Sequence, residues 1–340
     1  MKTHEFNDLL NKISTNVYTQ TTLRISTDLF YEEAEEYRLK DEQGLLLTTA
    51  IKKNHYIVEV DLSGNNLTDV SAIALASIKS LKILNLAYNN ITAKGVISLA
   101  TSTITKLYLQ GNDIVIDDVA LIDALIQNKT ITELNLHSSW CLDEMIAKLI
   151  RCNTTIQILS LGDGLTDKAL EFIGQNQSLK KLAINTSDIT DKGIQYLANN
   201  NSIKALLFGD SNIGDIGAKI LSKHFSLQEL RLRNSDITKV GSEYFLDGNL
   251  KKVVISSGAK HGSISFNEIK DFEYKFAAYQ FKKLKDQQEY YYNITGGKQY
   301  FDINPDMNDF NSIQNTIDFL QEQWSKEYFE QNLMGDINNY

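Results

Sequence analysis

Apolar and polar positions recur along most of this chain with a period of about two dozen residues. In the segment 57–67, Ile57, Val60, Leu62 and Leu67 occupy slots 1, 4, 6 and 11, and Asn65 occupies slot 9. Leu81, Leu84, Leu86, Asn89 and Ile91 repeat the pattern, as do Ile104, Leu107, Leu109, Asn112 and Ile114. Further copies begin at Ile131, Ile156, Leu179, Ile203, Leu227 and Leu250, giving steps of 24, 23, 27, 25, 23, 24, 24 and 23 residues. Slots 1, 4 and 6 supply 27 positions in nine copies, and every one is Ile, Leu, Val or Phe. Apolar slots 4 and 6 flank slot 5, the period of a strand with one buried face. The spacing predicts nine such strands, starting near the nine slot-1 residues. The second half of each copy reads as a helix. Ile91-Thr92-Ala-Lys-Gly95 matches Ile189-Thr190-Asp-Lys-Gly193, with Thr92, Thr190 and Thr238 placed as N-caps. Three residues after the cap position stands a small residue, namely Ser71, Gly95, Ala169, Gly193, Gly217 or Gly241. Glycine costs a helix about 1 kcal/mol against alanine, so its return at one slot implies close packing there.

The slots together read L-x-x-L-x-L-x-x-N-x-L, and residues 45–258 resemble leucine-rich repeats. The resemblance implies an α/β solenoid with a parallel concave sheet and convex helices. The strand-plus-helix unit is similar to the ribonuclease-inhibitor-like subclass. Its short length is closer to the GALA-like repeats of bacterial effectors, although the F-box those proteins carry has no counterpart before residue 50. Slot 9 holds Asn65, Asn89 and Asn112, then Ser139, Gly164, Ser187, Ser211, Ser235 and Gly258. A side-chain amide there can bond the turn that leaves the strand, so the second half should lose an asparagine ladder. The fifth copy is one residue short before its last apolar slot, Leu165.

The ends break the period. Residues 1–44 read as a helical N-terminal cap, with Phe6, Leu9, Leu10 and Ile13 on one helix and residues 29–37 on another. Residues 259–340 read as a C-terminal helical hairpin. Phe266, Ile269, Phe272, Phe276 and Tyr279 form one stripe, and Phe310, Ile313, Ile317, Leu320 and Trp324 form another. A solenoid must cover its exposed ends, and the first stripe is apolar enough to cover the last strand.

Composition narrows the chemistry. The chain has 340 residues, a net charge of −9, 42% apolar residues and two cysteines. That argues against a disulfide scaffold, a cysteine-rich zinc module or a default nucleic-acid binder. No run is long enough for a membrane span, and the first residues lack the form of a cleaved signal peptide. Cys141-Leu-Asp143 resembles the Cys-x-Asp of bacterial ubiquitin ligases with leucine-rich repeats, but Cys141 falls on an apolar core slot. Residues 302–313 have the Asp/Asn spacing of a calcium loop without its Gly and Glu. The five histidines lack metal-ligand spacing, so no metal, cofactor or catalytic residue is expected.

The surface left for function is the outward side of the strands, at slots 5, 7 and 8. It carries Tyr88, Tyr108, Asn135, His137 and the nearby Trp140 in copies two to four, and Arg231 and Arg233 in copy eight. Tyr, Trp and Arg are enriched at interface hot spots, so these are the candidate partner-binding residues of a non-enzymatic protein-interaction module. The Asn-rich, Pro-poor composition and appended helical end are similar to leucine-rich-repeat effectors of intracellular bacteria such as Legionella. That resemblance implies type IV secretion by an uncleaved signal in residues 321–340, action in the host cell cytoplasm and a host protein as partner. The alternatives are an adaptor that recruits host ubiquitination machinery and an activity or regulatory role carried by residues 259–340.

Overall fold

The computed structural model describes residues 3–26, 38–246, 248, 250–256, 269, 272–273, 275–284 and 312–319. Its frame is a ten-stranded parallel sheet laid down in sequence order. The strands are β1 (Thr22–Arg24), β2 (Glu59–Asp61), β3 (Ile83–Asn85), β4 (Lys106–Tyr108), β6 (Glu133–Leu136), β8 (Ile158–Leu161), β9 (Lys181–Asn185), β10 (Ala205–Gly209), β11 (Glu229–Arg233) and β12 (Lys252–Ile255). Two short strands, β5 (Val115–Ile116) and β7 (Trp140–Cys141), pair separately. All 27 residues of slots 1, 4 and 6 are buried. The strands nevertheless start at slot 3 rather than slot 1. Each slot-2 carbonyl accepts two amides of the next copy, as Val58 O does from Lys82 N at 2.8 Å and Ile83 N at 3.1 Å. This shared acceptor delays the regular ladder by two residues while slot 1 already fills the core.

The sheet gains its tenth strand from β1, which pairs with β2 in the register Leu23↔Val60. Asn65 donates to Ile25 O at 2.8 Å and accepts from Leu39 N at 2.8 Å, so residues 22–26 and 38–51 act together as a repeat unit that precedes the nine. Too few slots are filled there to read it from sequence. Helix α1 (Thr3–Ser14) buries Phe6 and Ile13 against α2 (Asp41–Ile51). The helix expected over 29–37 lies outside the described residues.

On the other side run α3 (Asp69–Ala76), α4 (Ala93–Leu99), α5 (Val119–Gln127), α6 (Asp143–Cys152), α7 (Asp167–Ile173), α8 (Asp191–Leu197), α9 (Asp215–Ser222) and α10 (Lys239–Glu243), each against its neighbour. Thr68, Thr92, Thr166, Thr190 and Thr238 cap five of them through their hydroxyls. Each cap is tied backward by an aspartate that opens the previous helix. Thr92 donates its amide and hydroxyl to Asp69 at 2.9 and 2.6 Å, and Gly95 N adds a third bond at 3.0 Å. Asp41, Asp143, Asp167 and Asp215 hold Thr68, Thr166, Thr190 and Thr238 in the same way. This is the packing reason for the recurring small residue. A Cβ on Gly95 would stand 2.5 Å from Asp69 Oδ1. Burial alone would raise the Asp41 carboxyl, but the hydroxyls and amides of Ser71 and Thr68 hold it below its usual range.

Two side-chain ladders fasten the other corners. Asn89 Nδ2 donates to Leu62 O and Leu86 O at 3.0 and 3.1 Å, and its Oδ1 accepts from Leu67 N at 3.0 Å. Asn112 does the same one copy on. The ladder stops where the sequence loses asparagine, and the buried hydroxyls of Ser139, Ser211 and Ser235 have no hydrogen-bond partner. In the sixth copy the buried turn residue is Thr186, which donates to Leu165 O, while Ser187 is exposed. A second ladder, three residues before slot 1, runs through Asn128, Asn153, Asn176 and Asn200, where helix turns into strand. Asn176 donates to Ile150 O and accepts from Ser178 N and Leu179 N. His224 takes this place in the eighth copy.

The sheet's far end is covered. Phe272 meets Phe245 edge-on with ring centroids 6.5 Å apart, and Gln280 donates to Leu250 O at 2.9 Å. Ile269, Phe272 and Phe276 thus join the solenoid core, and Ala277 and Phe281 bury Ile313 and Ile317 of the second helical stretch. Phe266, Phe310, Leu320 and Trp324 lie outside the described residues.

Candidate functional site

Because slots 4 and 6 point into the core, slots 3, 5 and 7 form the concave face. Tyr108 and Asn135 are register partners on β4 and β6, and His137 stands two residues beyond Asn135. The Asn135 side-chain carbonyl accepts from His137 N at 3.0 Å, which fixes the rim of the strand. Glu133, at slot 3, was not among the sequence candidates, yet its carboxylate acts on Tyr108 of the neighbouring strand. Burial and then the Glu133 carboxylate, by charge and by hydrogen bond, push the Tyr108 hydroxyl up to about 12, with a smaller push from Glu59. Tyr108 is therefore a neutral donor at ordinary pH. The signal for slot 3 was in the alternation itself, since slot 3 shares a face with slot 5.

Tyr88 and Trp140 leave this face. Tyr88 has φ +54° at slot 8, the position where Gly64, Gly111, Ser138, Asp210 and Asn234 are also left-handed. That conformation turns the Tyr88 ring over Gly111, where an added Cβ would collide with it. Trp140 belongs to β7 and reaches Gly164 of the next copy. Of the seven sequence candidates, Tyr108, Asn135 and His137 come together on the concave face, and Tyr88 and Trp140 lie on the flank where the chain leaves the sheet. Arg231 and Arg233 stand on β11, four strands beyond β6.

Arg231 is held by Glu229 at 2.8 Å, while Arg233 is exposed. With Lys181 and Lys252 they give this end of the face a positive balance, in a chain whose net charge is −9. Towards the other end Arg24 pairs with Asp61 at 3.2 Å and Lys106 with Glu133 at 3.4 Å. Between the two ends the floor is low, made of Ser160, Gly162, Ala183, Ala205, Leu207 and Gly209.

The Cys-x-Asp pair does two separate structural jobs. Burial pushes the Cys141 thiol up to about 12, which leaves it protonated and inert. The Asp143 carboxylate is spent on Thr166. Among the described residues no three His, Cys, Asp or Glu side chains gather to hold a metal, and no helix is long and apolar enough to cross a membrane. The calcium-like segment 302–313 falls almost wholly outside the described residues.

Residues 56–114 match a family model described as leucine rich repeat, and residues 175–198 match a second one of the same description. The fold is a leucine-rich-repeat solenoid. Among solved structures, internalin C2 from Listeria monocytogenes is 17% identical, covering 73% of this chain and 92% of its own at a TM-score of 0.39. The actin-binding site 2 of leiomodin-1 is 22% identical, over 49% of this chain and 84% of its own, with a TM-score of 0.32. The C-terminal domain of tropomodulin from Caenorhabditis elegans is 15% identical, over 44% and 90%, with a TM-score of 0.34. No curated protein matches the sequence.

Proposed function

We propose that this solenoid is a non-enzymatic protein-interaction module that seats its partner on the concave face. The observation that carries the reading is the half-buried Tyr108, held by Glu133 beside Asn135 and His137 on an unbroken parallel sheet. A preorganised aromatic flanked by polar groups can anchor a protein surface without rearrangement. Stacked strands about 4.8 Å apart give ten of them a face roughly 40 Å long, enough for a protein-sized footprint. Arg231 and Arg233 supply a second, charged contact at its far end. The partner is a host protein, and the chain is an effector delivered into the host cell by a type IV system. The Asn-rich, Pro-poor composition and the sequence of residues 321–340 support that part of the reading.

The test is capture of the partner from host-cell lysate by the full chain, followed by titration of the purified partner. Tyr108→Ala should weaken binding by about 2 kcal/mol with an unchanged melting temperature. Loss of binding on charge reversal of Arg231 and Arg233, with no effect of Tyr108→Ala, would move the site to the other end of the face. A translocation reporter fused to the chain tests delivery, and transfer that persists without residues 321–340 would contradict a signal in that segment.

A further inference from the structure

A second surface stands on the flank, apart from the concave face. The step from the third copy to the fourth is 27 residues, the longest in the series, and the extra residues build β5. Strand β5 pairs with β7 in parallel, with Ile116↔Cys141 turned into the core and Val115↔Trp140 turned to solvent. Leu142 continues β7 and donates its amide to Ile116 O, and Val119 opens the neighbouring helix α5. Val115, Val119, Trp140 and Leu142 are 45%, 51%, 55% and 40% exposed. Tyr88, 47% exposed, lies over Gly111 one copy earlier. Apolar side chains this large, exposed side by side, mark an interaction site more often than a bare surface does.

The charge around the β5–β7 pair is mostly negative. Residues 109–123, 133–147 and 157–167 contain no Lys or Arg. Asp113, Asp117, Asp118, Glu144 and Asp163 are all exposed within them. Lys168 offsets one of these, pairing with Glu144 at 3.3 Å, and Asp118 also caps α5. An apolar floor with an acidic rim selects a segment of opposite charge pattern. We infer that this flank docks a basic peptide segment of a partner protein, in which Lys or Arg residues bracket an aliphatic or aromatic anchor. The anchor lies across Trp140 and Val115, and the cations face Asp113, Asp117 and Asp163. This surface stands independently of the concave-face reading, since Tyr108 takes no part in it.

The test is display of a random 12-residue peptide library against the full chain, then fluorescence anisotropy on the enriched peptides. Enriched sequences should carry a net positive charge around an apolar residue and lose affinity as salt rises. Trp140→Ala should weaken them at least tenfold, and Asp117→Asn with Asp163→Asn severalfold, whereas Tyr108→Ala should leave them unchanged. If Trp140→Ala lowers the melting temperature, the exposed reversal Asp117→Lys with Asp163→Lys replaces it and should abolish binding. The inference is overturned if no peptide is enriched, if those enriched are neutral or acidic, or if binding survives both sets of variants. It is equally overturned if sedimentation shows the chain pairing with a second copy through Trp140.

Discussion

Asn89 stands where three backbone segments turn together and would otherwise bury polar groups without partners. Its amide group serves Leu62 O, Leu86 O and Leu67 N at once. An unpaired buried group costs about 1–3 kcal/mol, so Asn89→Ser should lower the unfolding free energy by about 2 kcal/mol or more in urea. Ser211 occupies the equivalent slot with no partner for its hydroxyl, so Ser211→Ala should leave stability unchanged or raise it by up to about 1 kcal/mol. His224 is the misfit of the other ladder. It is buried, bonds Leu197 O at 3.0 Å through Nε2, and leaves Nδ1 without a partner. Burial, aided by Lys204, lowers its pKa despite the Leu197 carbonyl. The unfolded chain therefore takes up a proton near pH 6.5 that the folded chain refuses. This group's contribution to stability is complete above that pH and declines as pH falls towards its folded pKa. His224→Asn restores the residue used in the preceding copies, and it should reduce the loss of melting temperature between pH 7.5 and pH 5. An unchanged loss would exclude His224 as its source.

Each repeat element is shaped by the copy before it. The glycine at Gly95 is unfavourable for α4 in isolation, and propensity alone would credit Gly95→Ala with about 1 kcal/mol of stability. The neighbouring carboxylate reverses that expectation. A methyl there crowds Asp69 Oδ1, Ile91 and Ala72, so the bond from Gly95 N to Asp69 would lengthen or break. Ala169 shows the outcome, because its amide bonds Thr166 O while Asp143 keeps only the threonine. We expect Gly95→Ala to destabilise the protein by about 1 kcal/mol, measured by urea unfolding. The strands, helices, caps and first asparagine ladder were legible because each is written in a single copy. Slots 4 and 6 show the strand and Thr92 shows the cap. The aspartate tie, the second ladder and the β5–β7 pair were not, because each joins residues of two copies. A clue to the second ladder was present in the asparagine three residues before Ile131, Ile156, Leu179 and Ile203. The turn that carries the Tyr88 ring over Gly111 was hidden from the sequence for a related reason. The left-handed turn at slot 8 redirects whatever follows it, and alternation carries no information about that turn.

At the scale of the molecule, one stack runs from Thr22 to Ile255, and every copy leans on the next. Such arrays gain most of their stability from interfaces between neighbours. The open faces at the two ends therefore decide whether the array is soluble. At one end helix α1 buries Phe6 and Ile13 against α2. The stretch bearing Phe272, Phe276 and Gln280 closes the last strand through Phe245 and Leu250. With both ends closed, the long concave face is left for a partner. Thermal unfolding of a fragment ending at residue 258, beside the full chain, tests this closure most directly. The closed stack predicts a fragment that aggregates or melts markedly lower, because β12 and the apolar end are uncovered. A soluble monomeric fragment with the melting temperature of the full chain would contradict it.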